Sequence, residues 1–257
     1  MIIQIILTLI LLTILKISLN KKERFDNQNK YNIFLYWENK KNTKRHKYLD
    51  LCYNTIKKKN NNVIILTPKN IYNYIPKHKI NKKVWDLKLI EQRADYIRFA
   101  VLNHNGGMWL DFDTICLKNL NFLFNYLKEY DMVLHSEQFF ACNKGVLNNV
   151  MKELDNKLNN SKDLNFDYTE LGLVTLKKNI NNLKIYRIKS KNMIPKIDYS
   201  GKYWRLMFNN IKSKDFLHDD LYIVKLYNHV YKNRKDELVN NKNNLFNNIL
   251  IEINKTI

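Results

Sequence analysis

Three consecutive segments near the start of the chain restrict its architecture more than any other feature. Residues 31–37 (YNIFLYW) are an unbroken apolar and aromatic run of strand length. Residues 44–59 set Tyr48, Leu51, Cys52, Thr55 and Ile56 three and four positions apart, the period of a helix with one buried face. Residues 63–67 (VIILT) are a second apolar run, ended by Pro68. Strand, helix and strand in this order predict a βαβ unit, with parallel strands, helices on both faces, and ligand loops at the strands' carboxyl ends. The expected fold class is therefore α/β.

The rest of the chain continues the alternation. Residues 83–105 read as one long helix with Leu87, Ile90, Ala94, Ile97, Val101 and Leu102 inward, stopped by Asn105-Gly106-Gly107. Short strands are expected at 108–111, 132–135, 184–188 and 222–227, and helices at 120–127, 146–158 and 169–178. The tail from Lys232 is rich in Asn and Lys, with a weak apolar stripe. No internal repeat or second-domain linker interrupts residues 31–257, which read as one domain. A length of 257 residues suffices for one well-buried core or two small ones, and 45% hydrophobic with 26% charged residues excludes a disordered polymer. Five Gly and three Pro are few for a dense β-sandwich, and Cys52, Cys116 and Cys142 build neither a disulfide framework nor a zinc ribbon.

The amino-terminal end differs in kind. Residues 2–15 are apolar except for Gln4, Thr8 and Thr13, and the stretch continues past Lys16 to Leu19 before Asn20-Lys21-Lys22. Some 18 helical residues reach roughly 27 Å, enough for a thin bilayer with Lys16 snorkelling. No small-residue cleavage site follows, so an uncleaved single-pass anchor over 1–20 is expected in place of a signal peptide, with a polar linker at 21–30. Lys16, Lys21, Lys22 and Arg24 all follow the span, which the positive-inside rule reads as a cytoplasmic domain, while a lumenal domain stays open as the alternative. Sequons at Asn159 and Asn254 do not fix the side, because a chain with 40 Asn produces them by chance.

The net charge of +20 invites a nucleic-acid or anionic-membrane partner. A coding bias toward A and T, which raises Asn, Lys and Ile together, accounts for the same excess, and the lysines are spread over the chain. No specific nucleic-acid partner is expected.

The segment that carries chemistry is Arg93-Ala94-Asp95-Tyr96-Ile97-Arg98 followed by Asn105-Gly106-Gly107-Met108-Trp109-Leu110-Asp111-Phe112-Asp113. Asp95 and Arg98 share a helix face, while Asp111 and Asp113, two apart in extended chain, point to one side. Two carboxylates at the end of a buried strand are costly unless compensated, and Mg²⁺ or Mn²⁺ commonly bridges such oxygens to substrate phosphates. The glycines let backbone approach a ligand closely. Neither a Walker-type phosphate loop nor a nucleophile-elbow motif occurs.

These residues resemble the Asp-x-Asp glycosyltransferases of the capsular-polysaccharide and initiating-mannosyltransferase type, with related toxin glucosyltransferases. The match runs through Leu35-Tyr36-Trp37-Glu38, Ala94 to Arg98 and Gly106 to Asp113, and covers about residues 33–123. The resemblance implies a GT-A-type, Rossmann-like nucleotide-sugar fold and a hexose moved from a nucleotide diphosphate sugar to a glycan, lipid or protein acceptor, with retained configuration. It implies that Tyr36, Trp37, Gly106, Gly107 and Asp111 bind the nucleotide-sugar, with Trp37 on the base, and that Asp95 and Arg98 hold sugar or ribose. It implies Mn²⁺ or Mg²⁺ on Asp113 directly, on Asp111 through water, and on His229 of Leu226-Tyr227-Asn228-His229. His218-Asp219-Asp220 is a rival to that last contact. Glu137 and Gln138 are candidates to line a sugar or acceptor pocket; Trp85 and Trp109 read as packing residues, and Trp204 as core or an acceptor platform. The competing readings are a membrane-tethered basic module that binds nucleic acid or anionic lipid, and an inactive scaffold of the same fold.

Overall fold

The computed structural model describes residue 13 and residues 31–40, 43–198, 201–231 and 234–255. The anchor expected over 1–20 and the linker over 21–30 lie outside the described residues, Thr13 apart. Among the described residues no helix is long and apolar enough to cross a membrane.

The predicted βαβ unit is present. Strand β1 (Ile33–Tyr36) leads to helix α1 (Lys47–Lys59) and to β2 (Val63–Leu66), which pairs with β1 in parallel, Ile33 opposite Val63. The expected long helix is divided. A 3-10 turn at Lys82–Asp86 precedes helix α2 (Ile90–Asn105), because Leu87 turns to extended backbone and inserts, almost fully buried, into the core. Gly106, at φ +70°, ends α2 and donates its N–H to Leu102 O at 2.7 Å, a left-handed stop that favours glycine.

Strand β3 (Gly107–Leu110) then enters the sheet parallel to β1. Strands β4 (Thr114–Cys116), β5 (Met132–Ser136), β6 (Phe139–Cys142), helix α3 (Asn148–Asn160), helix α4 (Thr175–Asn179) and β7 (Ile185–Arg187) follow. The six-stranded sheet has the order β2-β1-β3-β6-β5-β7; β6 runs against both neighbours, and the other pairs are parallel. Two strands go unread in the sequence. Phe139 to Cys142 is a four-residue run that closes a tight hairpin with β5, and β4 is only three residues long. The segment expected as a helix at 120–127 is a 3-10 helix, Asn121–Lys128.

Helix α5 (Ser213–Phe216) precedes β8 (Ile223–Lys225), which pairs antiparallel with β4 outside the main sheet. The tail corrects its sequence reading. It forms α6 (Lys235–Asn240) and α7 (Leu245–Lys255), and Leu245, Phe246, Ile249 and Ile253 are core residues.

Alternation along the strands divides that core. Ile33, Leu35, Met108 and Leu110 face a layer with Tyr48, Cys52 and Ile56 of α1 and Phe246 and Ile249 of α7. Phe34, Tyr36 and Trp109 face the other layer, with Ile97 and Val101 of α2 and Leu154 and Leu158 of α3. Helices thus cover both sheet faces, leaving the carboxyl ends of β1 and β3 as the place where a cleft opens.

Candidate functional site

The cleft encloses about 480 Å³ at those strand ends. Its floor is a chain of alternating charges. Asp95 and Arg98, one turn apart on α2, approach to 3.1 Å through Oδ1 and Nη1. Arg98 Nη2 lies 3.2 Å from Asp111 Oδ1, which also accepts a 2.8 Å hydrogen bond from Trp109 Nε1. Asp111 Oδ2 accepts from Lys225 Nζ at 2.8 Å, and the same ammonium donates to Asp113 Oδ1. The remaining oxygen, Asp113 Oδ2, accepts from the backbone N–H of Asn228 at 2.5 Å. All four oxygens of the Asp-x-Asp pair therefore take protein donors.

Local structure explains these positions. Asp111 leaves β3 with its N–H bonded to Gln138 O in the β5–β6 turn, so that turn brings Glu137 and Gln138 into the cleft. Lys225 ends β8, and the pairing of β8 with β4 sets Lys225 opposite Thr114, next to Asp113. Leu226 N then donates to Asp113 O at 2.9 Å, and Tyr227 adopts φ +56° to turn the chain back. A left-handed aromatic residue is a strained conformation. It is held by the Asn228 bonds to Asp113 and to the Tyr48 hydroxyl of α1.

Burial and pairing set the protonation of this chain. Burial pushes the Asp95 carboxyl up to about 7 against the pull of Arg98. Burial opposes the charges of Asp111, Arg98 and Lys225 as well, yet their mutual attraction outweighs it: Asp111 lies below its ordinary value, and Arg98 and Lys225 lie above theirs. A one-turn π-helix, Glu170–Val174, packs over Asp95, and a Cβ on Gly172 would lie 2.7 Å from Asp95 Oδ2.

The aromatic wall stands opposite. Trp37 lines the cleft, its Nε1 donating to Asn39 Oδ1 at 2.7 Å and its ring set at 61° to Phe112 with centroids 5.4 Å apart. Arg45 lies over both rings. Tyr36 is buried beside it and donates its hydroxyl to Glu38 at 2.8 Å. The rim carries Lys40, Lys44, His46, His229 and Lys235.

The structure brings Tyr36, Trp37, Asp95, Arg98, Asp111, Asp113, Glu137 and Gln138 together along one cleft. Gly106 and Gly107 are corrected: they lie at the opposite end of β3, away from the cleft lining. A Cβ on Gly107 would fall 2.5 Å from Asn32 O and one on Gly106 3.0 Å from Lys144 N, so the close approach these glycines permit is to neighbouring backbone, not to a ligand. His229 is on the rim, exposed, and among the described residues no three His, Cys, Asp or Glu groups are arranged to hold a metal ion. His218 bonds Ile194 O and Asp220 pairs with Lys191 on the surface, outside the cleft. The expected Mn²⁺ or Mg²⁺ does not fit the Asp pair as arranged, since its place is taken by the Lys225 ammonium. Trp109 does more than pack: it lines the cleft and holds Asp111. Lys225, Tyr168 and Lys235 went unread, and for Lys225 the available signal was a charged residue within an apolar strand.

Residues 19–140 match a family model described as "Glycosyltransferase sugar-binding region containing DXD motif". A comparison with curated proteins gave no match. Among solved structures the chain is similar to one described as "PaToxG Glycosyltransferase", at 16% identity and a TM-score of 0.40, over 64% of this chain and 76% of that one.

Proposed function

We propose that the chain is a glycosyltransferase that moves a hexose from a nucleoside diphosphate sugar to a hydroxyl of a glycan, lipid or protein acceptor. One observation carries this reading: the sugar-binding-region match at 19–140 contains Trp37, Asp95, Arg98, Asp111 and Asp113, and these residues converge on one cleft. The parallel-rich α/β sheet agrees with a GT-A-type arrangement.

In this proposal the aromatic wall of Trp37 and Phe112 takes the base, for which a flat apolar face is suited. Asp95 and Arg98 hold hydroxyls of the sugar or ribose, the guanidinium by forked hydrogen bonds. Asp111 orients Arg98, and Asp113 orders the 226–229 turn. Glu137 and Gln138 face the sugar or acceptor, and the basic rim meets the diphosphate. In the transfer, the bond from the anomeric carbon to the diphosphate oxygen breaks, and its electron pair leaves with the diphosphate. The acceptor hydroxyl oxygen forms the new bond to that carbon and releases its proton to the departing diphosphate or to water. Families with an Asp-x-Asp motif typically use a divalent metal, but the carboxylates here hold an ammonium, and no step is routed through a metal. Retention of configuration and a membrane tether at residues 1–20 belong to the same proposal, on the strength of the family resemblance and the apolar amino-terminal stretch.

The test is incubation of the full chain in detergent with a panel of nucleotide sugars, scoring release of free nucleoside diphosphate. Release from one donor, abolished in Arg98→Ala while the fold persists by circular dichroism, is expected. A folded protein that neither binds nor cleaves any donor sinks the reading. Proton NMR of the product's anomeric signal checks retention.

A further inference from the structure

We infer that Lys225 is a built-in counter-ion that fills the divalent-cation position of the Asp111–Asp113 pair, so that a nucleoside diphosphate is bound here by protein cations, without a metal. The diphosphate part of this inference rests on the glycosyltransferase reading; the Lys225 part does not.

Geometry carries the first part. The Lys225 ammonium sits between Asp111 Oδ2 and Asp113 Oδ1 with contacts to both, and its side chain is 9% exposed. The other two carboxylate oxygens are engaged by Arg98, Trp109 and the Asn228 N–H. A divalent ion entering this space would displace the ammonium or sit against it, with the Arg98 guanidinium also in contact with Asp111. Two resident cations in a buried site raise the cost of a third, and a displaced Lys225 would be left buried without a partner. Lys225 is also fixed by its backbone: β8 is locked to β4 in register, and the Leu226 N–H is bonded to Asp113 O.

The second part follows from charge at the rim. Asp111 and Asp113 are satisfied by Lys225 and Arg98, so neither offers a diphosphate more than a neutralised surface. Lys40, Lys44 and Lys235 line the same cleft, and Lys235 is held below its ordinary value by burial and by the neighbouring Lys40 charge. Like charges gathered beside a cleft repel one another until an anion arrives, which is the condition for a phosphate site.

The experiment has two arms on the full chain. In the first, Mn²⁺ alone is titrated and free ion is read by electron paramagnetic resonance. Wild type is expected to bind no stoichiometric Mn²⁺ that depends on Asp113, whereas Lys225→Ala gains such a site and Lys225→Ala/Asp113→Asn loses it. One Mn²⁺ bound by wild type and lost in Asp113→Asn overturns the inference, and this comparison needs no Lys225 variant to fold. In the second, UDP, GDP and inorganic pyrophosphate are titrated calorimetrically with chelator or with Mn²⁺. A bridging cation couples metal and diphosphate affinities by roughly 5- to 150-fold, and we expect a change below about 2-fold. Affinity seen only with Mn²⁺ overturns the inference. Exclusion of Mn²⁺ with no binding of any diphosphate would support the Lys225 assignment and overturn the donor reading, so the two failures are distinguishable.

Discussion

The Asp95 carboxyl lies between the Arg98 guanidinium and the backbone of Gly172, and burial raises it from 3.8 to about 7. A carboxyl that binds its proton more tightly when folded favours the folded state at low pH. That contribution is fully present below pH 3.8 and is lost as pH rises through 7. Asp95→Asn stays neutral throughout, so the melting temperature of the variant relative to wild type should rise from pH 4 to pH 7 and level off above. A flat difference measured by thermal unfolding would contradict the burial-driven shift. Gly172 gives a second test at this scale. A methyl group there must displace the Asp95 carboxylate or the π-turn, and overpacking of this kind costs about 1–3 kcal/mol. Gly172→Ala should lower stability by that order in urea and weaken donor binding, whereas an equivalent change at Gly201, where a Cβ meets no atom of the described residues within 4 Å, should leave donor binding unaffected.

Elements outside the matched segment complete the site. Strand β8 delivers Lys225, the π-turn at Glu170–Val174 covers Asp95, and α6 begins with Lys235 at the rim. A π-turn inside a helical stretch is a frequent mark of a functional site, since it spares a backbone position to reshape a surface. Helix α7 acts at a distance. Its Phe246 sets an edge against Tyr48, and Tyr48 holds the Asn228 side chain beside Asp113. Ile249 is fully buried in the same layer, so Ile249→Ala is expected to cost about 2–5 kcal/mol as a cavity opens. Chemical denaturation reads that cost. If α7 were an appendage, the transition would stay where it is in wild type.

For the whole molecule, the +20 charge has a local and a diffuse component. Lys40, Lys44 and Lys235 gather at the cleft, while runs such as Lys57 to Lys59 lie elsewhere, on the last turn of α1. A diffuse excess attracts any polyanion weakly, and that attraction collapses as salt rises. Duplex DNA and anionic vesicles should therefore bind at low ionic strength and be released at physiological salt, as read by fluorescence anisotropy and co-sedimentation. Persistent binding of either at physiological salt would favour the basic-module reading over a transferase. Charge reversal at the rim separates the two components: Lys40→Glu should reduce nucleoside diphosphate affinity several-fold, about 1 kcal/mol for one lost charge-assisted contact, and change DNA binding far less.

What the amino-acid sequence determined by itself was local. The period of residues 44–59 and the apolar runs on either side specify a βαβ unit, because side-chain burial repeats with backbone geometry over a few residues. Asp95 with Arg98, and Asp111 with Asp113, are legible for the same reason: three positions on a helix and two on a strand put groups together without any knowledge of the fold. Gly106 and Gly107 show where that reading stops, since a glycine's freedom is visible in the sequence but the neighbour it admits is not. Strand β6 needed tertiary partners to declare itself, being short, whereas the helical spacing of Leu245, Phe246, Ile249 and Ile253 in α7 was present in the sequence but masked by the surrounding Asn and Lys. Lys225 is the clearest case. It lies 114 positions from Asp111, and only the pairing of β8 with β4 brings its ammonium between the two carboxylates. Charge balance in a buried site is a sum over everything the fold brings near, and here the fold brings a lysine to this Asp pair.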